Sequence, residues 1–253
     1  MLTKKPLLNS AFSKVVSVYD DASWVQQDVL YWLLDFLPEK QVDSVLDIGS
    51  ATGKGTALLK QRFLPTLCRG IDVSSAMVDY ARQQYPCCQF DCVGVESLTS
   101  TAAADLVFSN ATLHWAHDLE SVFKLFGGFI DQGSTLAASI FLPATFQELA
   151  QGLREVVDSS VRLPAESFCG VNELDTLAGQ YFVGHQLHRY TRKVVFESVL
   201  ALLQHIKQTG TVTRPRRVEL RPGHIKALQS WFDDNYGQVE VTVDVWGLVA
   251  IHE

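Results

Sequence analysis

Leu46-Asp47-Ile48-Gly49-Ser50-Ala51-Thr52-Gly53 is the stretch that decides the fold. Ser44 to Ile48 reads as a short buried strand, and Thr56 to Leu59 as part of the helix that follows the turn. A glycine-bearing turn from strand to helix is where open α/β sheets bring backbone against a ligand. Asp72 ends a second predicted strand, Cys68 to Asp72, and stands 25 residues after Asp47, where a carboxylate can accept ribose hydroxyl protons. Glycines with a downstream acid also describe a dinucleotide site. The two patterns differ in that Asp47 precedes the first glycine here, and the second glycine comes four residues later rather than two.

Outward from this stretch, Val25, Val29, Leu30, Trp32, Leu33, Phe36 and Leu37 recur at helical spacing. They predict a helix from near Ser23 to Leu37, closed by Pro38. Downstream, Ser74-Ser75 read as the cap of a helix containing Met77, Val78 and Ala81. Strands are predicted at Phe90 to Val95, Asp105 to Ser109 and Thr135 to Phe141, with a helix over about Leu119 to Phe129. Short apolar strands alternating with helices predict an α/β fold, its sheet mostly parallel and covered on both faces.

After Pro143 the pattern turns helical, with predicted helices at Phe146 to Val157 and Val171 to Leu177. A strand near Leu187 to Phe196, a helix over Val199 to Lys207, a loop over Arg214 to Arg221 and a helix from Pro222 to Phe232 follow. Val239 to Val245 alternates strictly and apolar residues continue to Ile251, which fits a late antiparallel strand. The expected organisation is one domain over residues 1–253. It has an N-terminal helical segment at 11–37 and lid-like insertions at about 144–180 and 199–232.

With 47% hydrophobic and 19% charged residues, the chain has material for a full core. No apolar run approaches the roughly 20 residues that span a bilayer, and the first residues make a poor secretion signal, so the expectation is a cytoplasmic protein without a membrane partner. Five cysteines, with no second Cys/His cluster to complete a site, predict no metal. The net charge of −7 hides an asymmetry: residues 189–226 carry +7 and the remainder −14. A local basic patch on an acidic chain points to a localised anionic partner rather than to nucleic acid.

Taken as a set, VLDIGSATG, GIDVSSAMVDYAR, VGVESL and DLVFSNATLHW resemble the class I S-adenosylmethionine-dependent methyltransferases over about Val45 to Leu142. The resemblance implies a Rossmann-like methyltransferase sheet, S-adenosylmethionine as cofactor and S-adenosylhomocysteine as product. It places Asp47, Gly49, Ser50 and Gly53 on the methionine part of the cofactor, Asp72 on the ribose, and Val73 on the adenine. Val95 and Glu96 fall beside that base, and Asn110 at the methionine end. The family usually has glycine at Ala51 and often an acid at Gly94, so this chain departs from the pattern at both.

AFSKVVSVYDDASWVQQDVLYWLLDFL, SNATLHW and LLQHIKQTG are similar to the malonyl-acyl-carrier-protein O-methyltransferases of biotin synthesis. That implies methylation of the free carboxylate of malonyl-acyl carrier protein, with the carrier as partner. Trans-aconitate methyltransferases share much of the central pattern and give the alternative, a small-acid carboxyl methyltransferase. The third reading is a non-catalytic cofactor-binding or interaction protein. A carboxylate is already ionised at pH 7, so the transfer needs no base. Tyr19 is expected to close over the cofactor, and His114 to shape the pocket or touch substrate beside the wall residue Trp115. Arginine's fork suits a carboxylate, which makes Arg154, Arg162, Arg214, Arg216 and Arg217 the substrate-binding candidates. The oligomeric state is not legible.

Overall fold

The computed structural model describes residues 15–98, 104–130, 133–209 and 220–251. Strand β1 (Ser44–Ile48) runs through the middle of a seven-stranded sheet, parallel to β2 (Leu67–Asp72) on one side. Beyond β2 lies β3 (Gln89–Cys92), also parallel. On the other side β4 (Leu106–Ser109) and then β5 (Thr135–Phe141) continue the parallel set. β6 (His185–Phe196) and β7 (Val239–Ile251) complete it, with β7 antiparallel to both β5 and β6. The order is β3-β2-β1-β4-β5-β7-β6, so the chain reverses direction across the sheet between β1 and β4, where open α/β sheets hold ligands.

The helices are α1 (Val16–Ala22), α2 (Trp24–Leu34), α3 (Lys54–Phe63), α4 (Ser75–Gln84) and α5 (Leu119–Gly127). They continue as α6 (Gln147–Val156), α7 (Val171–Tyr181), α8 (Val199–Gln208) and α9 (Pro222–Tyr236). Caps fix several starts. Ser74, Asp118 and Ser198 accept the N–H of Met77, Ser121 and Ala201. No helix among the described residues is long and apolar enough to cross a membrane.

The alternation of β7 sorts its side chains between two packed faces. Trp246, Leu248 and Ala250 join Phe123 and Phe126 of α5 and Leu174 and Ala178 of α7. Val241, Val243 and Val245 join Leu149 of α6, Leu202 of α8 and Leu228 and Phe232 of α9. Two buried acids interrupt this apolar region, and each is matched. Asp244 receives Arg189 in a two-pronged contact at 2.7 and 2.6 Å. Glu148 receives Lys193 at 2.5 Å and both the N–H and hydroxyl of Thr242.

Two expectations change. The third strand stops at Cys92 rather than Val95, because from Gly94 the chain turns into a single 3-10 turn (Val95–Ser97), with Ser97 N–H on the Gly94 carbonyl at 2.9 Å. The segment 144–180 divides between layers: α6 packs with α9 and β7, whereas α7 packs on α5 across the sheet.

Candidate active site

The carboxyl ends of β1, β2 and β4 open onto a cleft of about 950 Å³, its open mouth included. Its floor is the loop after β1. Gly49 and Ser50 donate their N–H groups to the Ile71 carbonyl at 2.8 and 2.9 Å, which lashes the loop to β2. Gly49 sits at φ +76°, and a Cβ there would lie 2.2 Å from Cγ2 of Thr112, so only glycine fits. Gly53, at φ +85°, turns the chain into α3.

The N-terminal helices close the cleft from above, held by three contacts. Thr52 Oγ1 donates to Asp20 at 2.5 Å, Lys54 Nζ to Gln27 Oε1 at 2.6 Å, and Asn110 Nδ2 to the Gln26 carbonyl at 2.9 Å. Asn110 also accepts Ser139 Oγ at 2.8 Å, so it ties α2 to the ends of β4 and β5 while lining the cleft.

Asp72 is oriented by backbone donors, among them Ala51 N–H on Oδ2 at 3.0 Å and Ser74 N–H on Oδ1 at 2.8 Å. Burial raises its carboxyl above the ordinary range, while those hydrogen bonds pull it back. Asp47 is 3% exposed and accepts Thr56 Oγ1 at 2.6 Å. Burial pushes its carboxyl up to about 7, and among the described residues no cation offsets that. The hydroxyl of Ser50 is buried without a partner. A ligand bringing an ammonium and several polar groups would answer both.

Val73 reaches this cleft and also a neighbouring recess of about 560 Å³, lined by Asp72, Val95, Glu96 and Leu113. On the other flank an apolar chamber of about 690 Å³ shares Tyr19, Gln26, Ala111 and Trp115 with the cleft. His114 lines the chamber, its ring packed on Phe168, Trp115 and Phe141 at centroid distances of 4.6, 5.0 and 5.3 Å. Burial pushes its imidazole down to about 3, so it is neutral at pH 7 and a feeble base. Tyr19 stands at the junction. Burial, then the nearby Asp72 and Asp20, raise its phenol well above the usual range, so it keeps its proton.

His205 is a chamber residue that the sequence reading did not single out, although it lies inside LLQHIKQTG. It is 5% exposed, with its ring against Trp24 and Phe196, both at 5.3 Å. Two of the arginines expected at the carboxylate, Arg154 and Arg162, are engaged elsewhere. Arg154 pairs with Glu166 at 2.7 Å, Arg162 donates to the carbonyls of Val161 and Ser159, and neither lines the cleft or the chamber. Arg214, Arg216 and Arg217 lie outside the described residues.

Residues 46–137 match the family model described as a methyltransferase domain. The chain is 30% identical over 192 residues to the malonyl-[acyl-carrier protein] O-methyltransferase of Acetivibrio thermocellus, covering 73% of this chain and 68% of that protein. This chain belongs to the class I S-adenosylmethionine-dependent methyltransferases. A methyltransferase of another specificity is also similar: the trans-aconitate 2-methyltransferase of Escherichia coli O157:H7, 30% identical over 181 residues, 70% of this chain and 71% of that one. The fold matches the N-methyltransferase NodS of Bradyrhizobium japonicum WM9, solved with S-adenosylhomocysteine, at a TM-score of 0.57 and 11% identity over 97% of this chain and 98% of that chain. As a methyltransferase of this class the chain uses S-adenosylmethionine. An amino-acid ammonium is the cation that the buried Asp47 lacks, and a ribose diol is what a fixed carboxylate such as Asp72 accepts, so the cleft fits that cofactor.

Proposed function

We propose that this methyltransferase acts on the free carboxylate of a malonyl group carried as a thioester on acyl carrier protein, an early step of biotin synthesis. In this reading Asp47, Gly49, Ser50, Gly53 and Asn110 hold the methionine end of the cofactor, Asp72 the ribose, and Val73, Val95 and Glu96 the adenine side. S-adenosylmethionine supplies the methyl group.

The observation that carries the reading is the apolar chamber opening beside the cleft at Tyr19, Gln26 and Trp115, with no Arg or Lys among its described lining residues. A thioester arm along such walls, with its single carboxylate at the mouth shared with the cleft, suits the chamber. A tricarboxylate would bury three charges against them, at several kcal/mol per uncompensated ion. Thr209 is the last described residue of the chamber wall, and Arg214, Arg216 and Arg217 follow within the next eight residues of the sequence. That basic stretch suits an acidic carrier protein.

The residues have orientation and exclusion of water to supply, rather than proton transfer. The attacking carboxylate is anionic at pH 7, and His114 at about 3 is too weak a base to be called on. Tyr19 keeps its proton at the junction, so it is no base either. The test is a comparison of kcat/KM for malonyl-carrier protein and trans-aconitate. A preference of at least about 100-fold for the carrier substrate supports the reading, and the reverse preference favours the small-acid alternative.

A further inference from the structure

Among the described residues, three polar atoms of the chamber are buried without a partner: Nδ1 of His114, Nδ1 of His205 and Oε1 of Gln26. For two of them the sense of the missing hydrogen bond is fixed. The backbone beside His205 at Ala22 favours the charged ring, as a carbonyl does and an N–H does not. A carbonyl only accepts, so the ring donates to it. Nδ1 has no partner among the described residues, which leaves Nε2 as the nitrogen that turns its proton toward Ala22. Burial pushes the imidazole down to about 4, so at pH 7 the ring is neutral and carries one proton only. Nδ1 therefore presents a lone pair. Oε1 of Gln26 is an acceptor by its nature.

Two acceptors in an apolar wall repel a carboxylate and call for N–H or O–H donors. The ring cannot turn away freely, because Trp24, Phe196 and Phe146 surround it at centroid distances of 5.3, 5.3 and 6.5 Å. Leu163, Pro164 and Phe168 add apolar surface suited to methylene groups. We propose that His205 Nδ1 and Gln26 Oε1 accept the amide hydrogens of a pantetheine arm, so that the chamber selects an amide-bearing acyl thioester over a free acid. This rests on the carrier-thioester reading above and adds the element that recognises the arm. Pantetheine combines short methylene runs with secondary amides, whereas a free polycarboxylate brings no donor at pH 7.

The test compares kcat/KM for malonyl-pantetheine with that for S-ethyl malonyl thioester, which lacks the amides. Wild type favours the pantetheine thioester. His205→Phe keeps a ring but loses the acceptor and narrows that preference about tenfold, mainly through KM. His205→Gln restores an acceptor and part of the preference, which a merely structural role would not do. Gln26→Leu repeats the test from the other acceptor should His205→Phe fail to fold. An unchanged ratio in a folded variant overturns the proposal. Malonyl-carrier protein and malonyl-coenzyme A share the arm, so His205→Phe weakens both by the same factor, and only their difference in wild type reports on the carrier. If wild type methylates neither thioester, the malonyl reading falls, and a titration of pantetheine into protein with ¹⁵N-labelled histidine decides the subsite alone. Movement of the His205 Nδ1 signal supports it; a static signal overturns it.

Discussion

The backbone N–H of Ala51 donates to Oδ2 of Asp72 at 3.0 Å, joining the first loop to the end of the second strand 21 residues away. The bond is made from a strained conformation, because Ala51 stands at φ +47°. A side chain in the left-handed region costs about 1–2 kcal/mol. Ala51→Gly removes that cost and gives back about 0.5–1 kcal/mol through the freer unfolded chain. The variant is expected to be more stable by about 0.5–1 kcal/mol in urea denaturation, and to bind the cofactor at least as tightly in calorimetry. A less stable glycine variant would contradict the strain.

Asp47 links cofactor binding to pH. Its carboxyl in the folded, ligand-free protein is pushed up to about 7 by burial. Below that pH it is protonated, and a ligand ammonium must displace the proton. Affinity for the cofactor is therefore expected to level off above about pH 7 and to fall by up to tenfold for each unit below it. Asp47→Asn should flatten this dependence. The same shift has a sign for stability: between about pH 4 and 7 the folded state binds more protons than the unfolded one, so the ligand-free protein loses stability as pH rises through that window. Thermal melts across the range, with and without cofactor, check both statements.

His114 is expected to be dispensable as a proton carrier. Its ring is neutral and hemmed in by Phe168, Trp115 and Phe141. His114→Phe keeps the packing and should lower kcat by less than about tenfold, where loss of a general base costs about 10²–10⁴. Single-turnover rates on malonyl-carrier protein distinguish the two.

Arg214, Arg216 and Arg217 give the carrier proposal its electrostatic prediction. Reversing all three charges should raise KM for malonyl-carrier protein by about tenfold or more and flatten its dependence on salt, with little effect on kcat. An unchanged KM and salt slope would remove this stretch from carrier docking.

Much of the fold is legible because local signals agree with the long-range ones. Ser44–Ile48 and Thr135–Phe141 are found at their predicted bounds, since both are short, mostly apolar runs that follow polar or glycine-bearing turns. The late antiparallel strand β7 is found, though its polar positions Thr242 and Asp244 are buried against Glu148 and Arg189 where alternation alone implies an exposed face, and Ser74 caps α4 as its position implies. The cleft is legible for the same reason: Asp47, Gly49, Asp72 and Asn110 all sit at strand ends of one sheet. The chamber is not. His205 is one residue on an amphipathic helix, and the packing of α8 against α1, β6 and α9 is what turns its ring into the chamber. Arg154 reads as a free cation until the irregular segment after α6 brings Glu166 back to it. The division of residues 144–180 between two faces depends on the route of the chain, which no local pattern encodes.

The most direct measurement is transfer of a labelled methyl group from S-adenosylmethionine to purified malonyl-carrier protein, followed by mild alkali. A carboxyl ester predicts label on the carrier that alkali releases as methanol, with trans-aconitate labelled far more slowly at equal concentration. Label that resists alkali, or appears on trans-aconitate but not on the carrier, would contradict it.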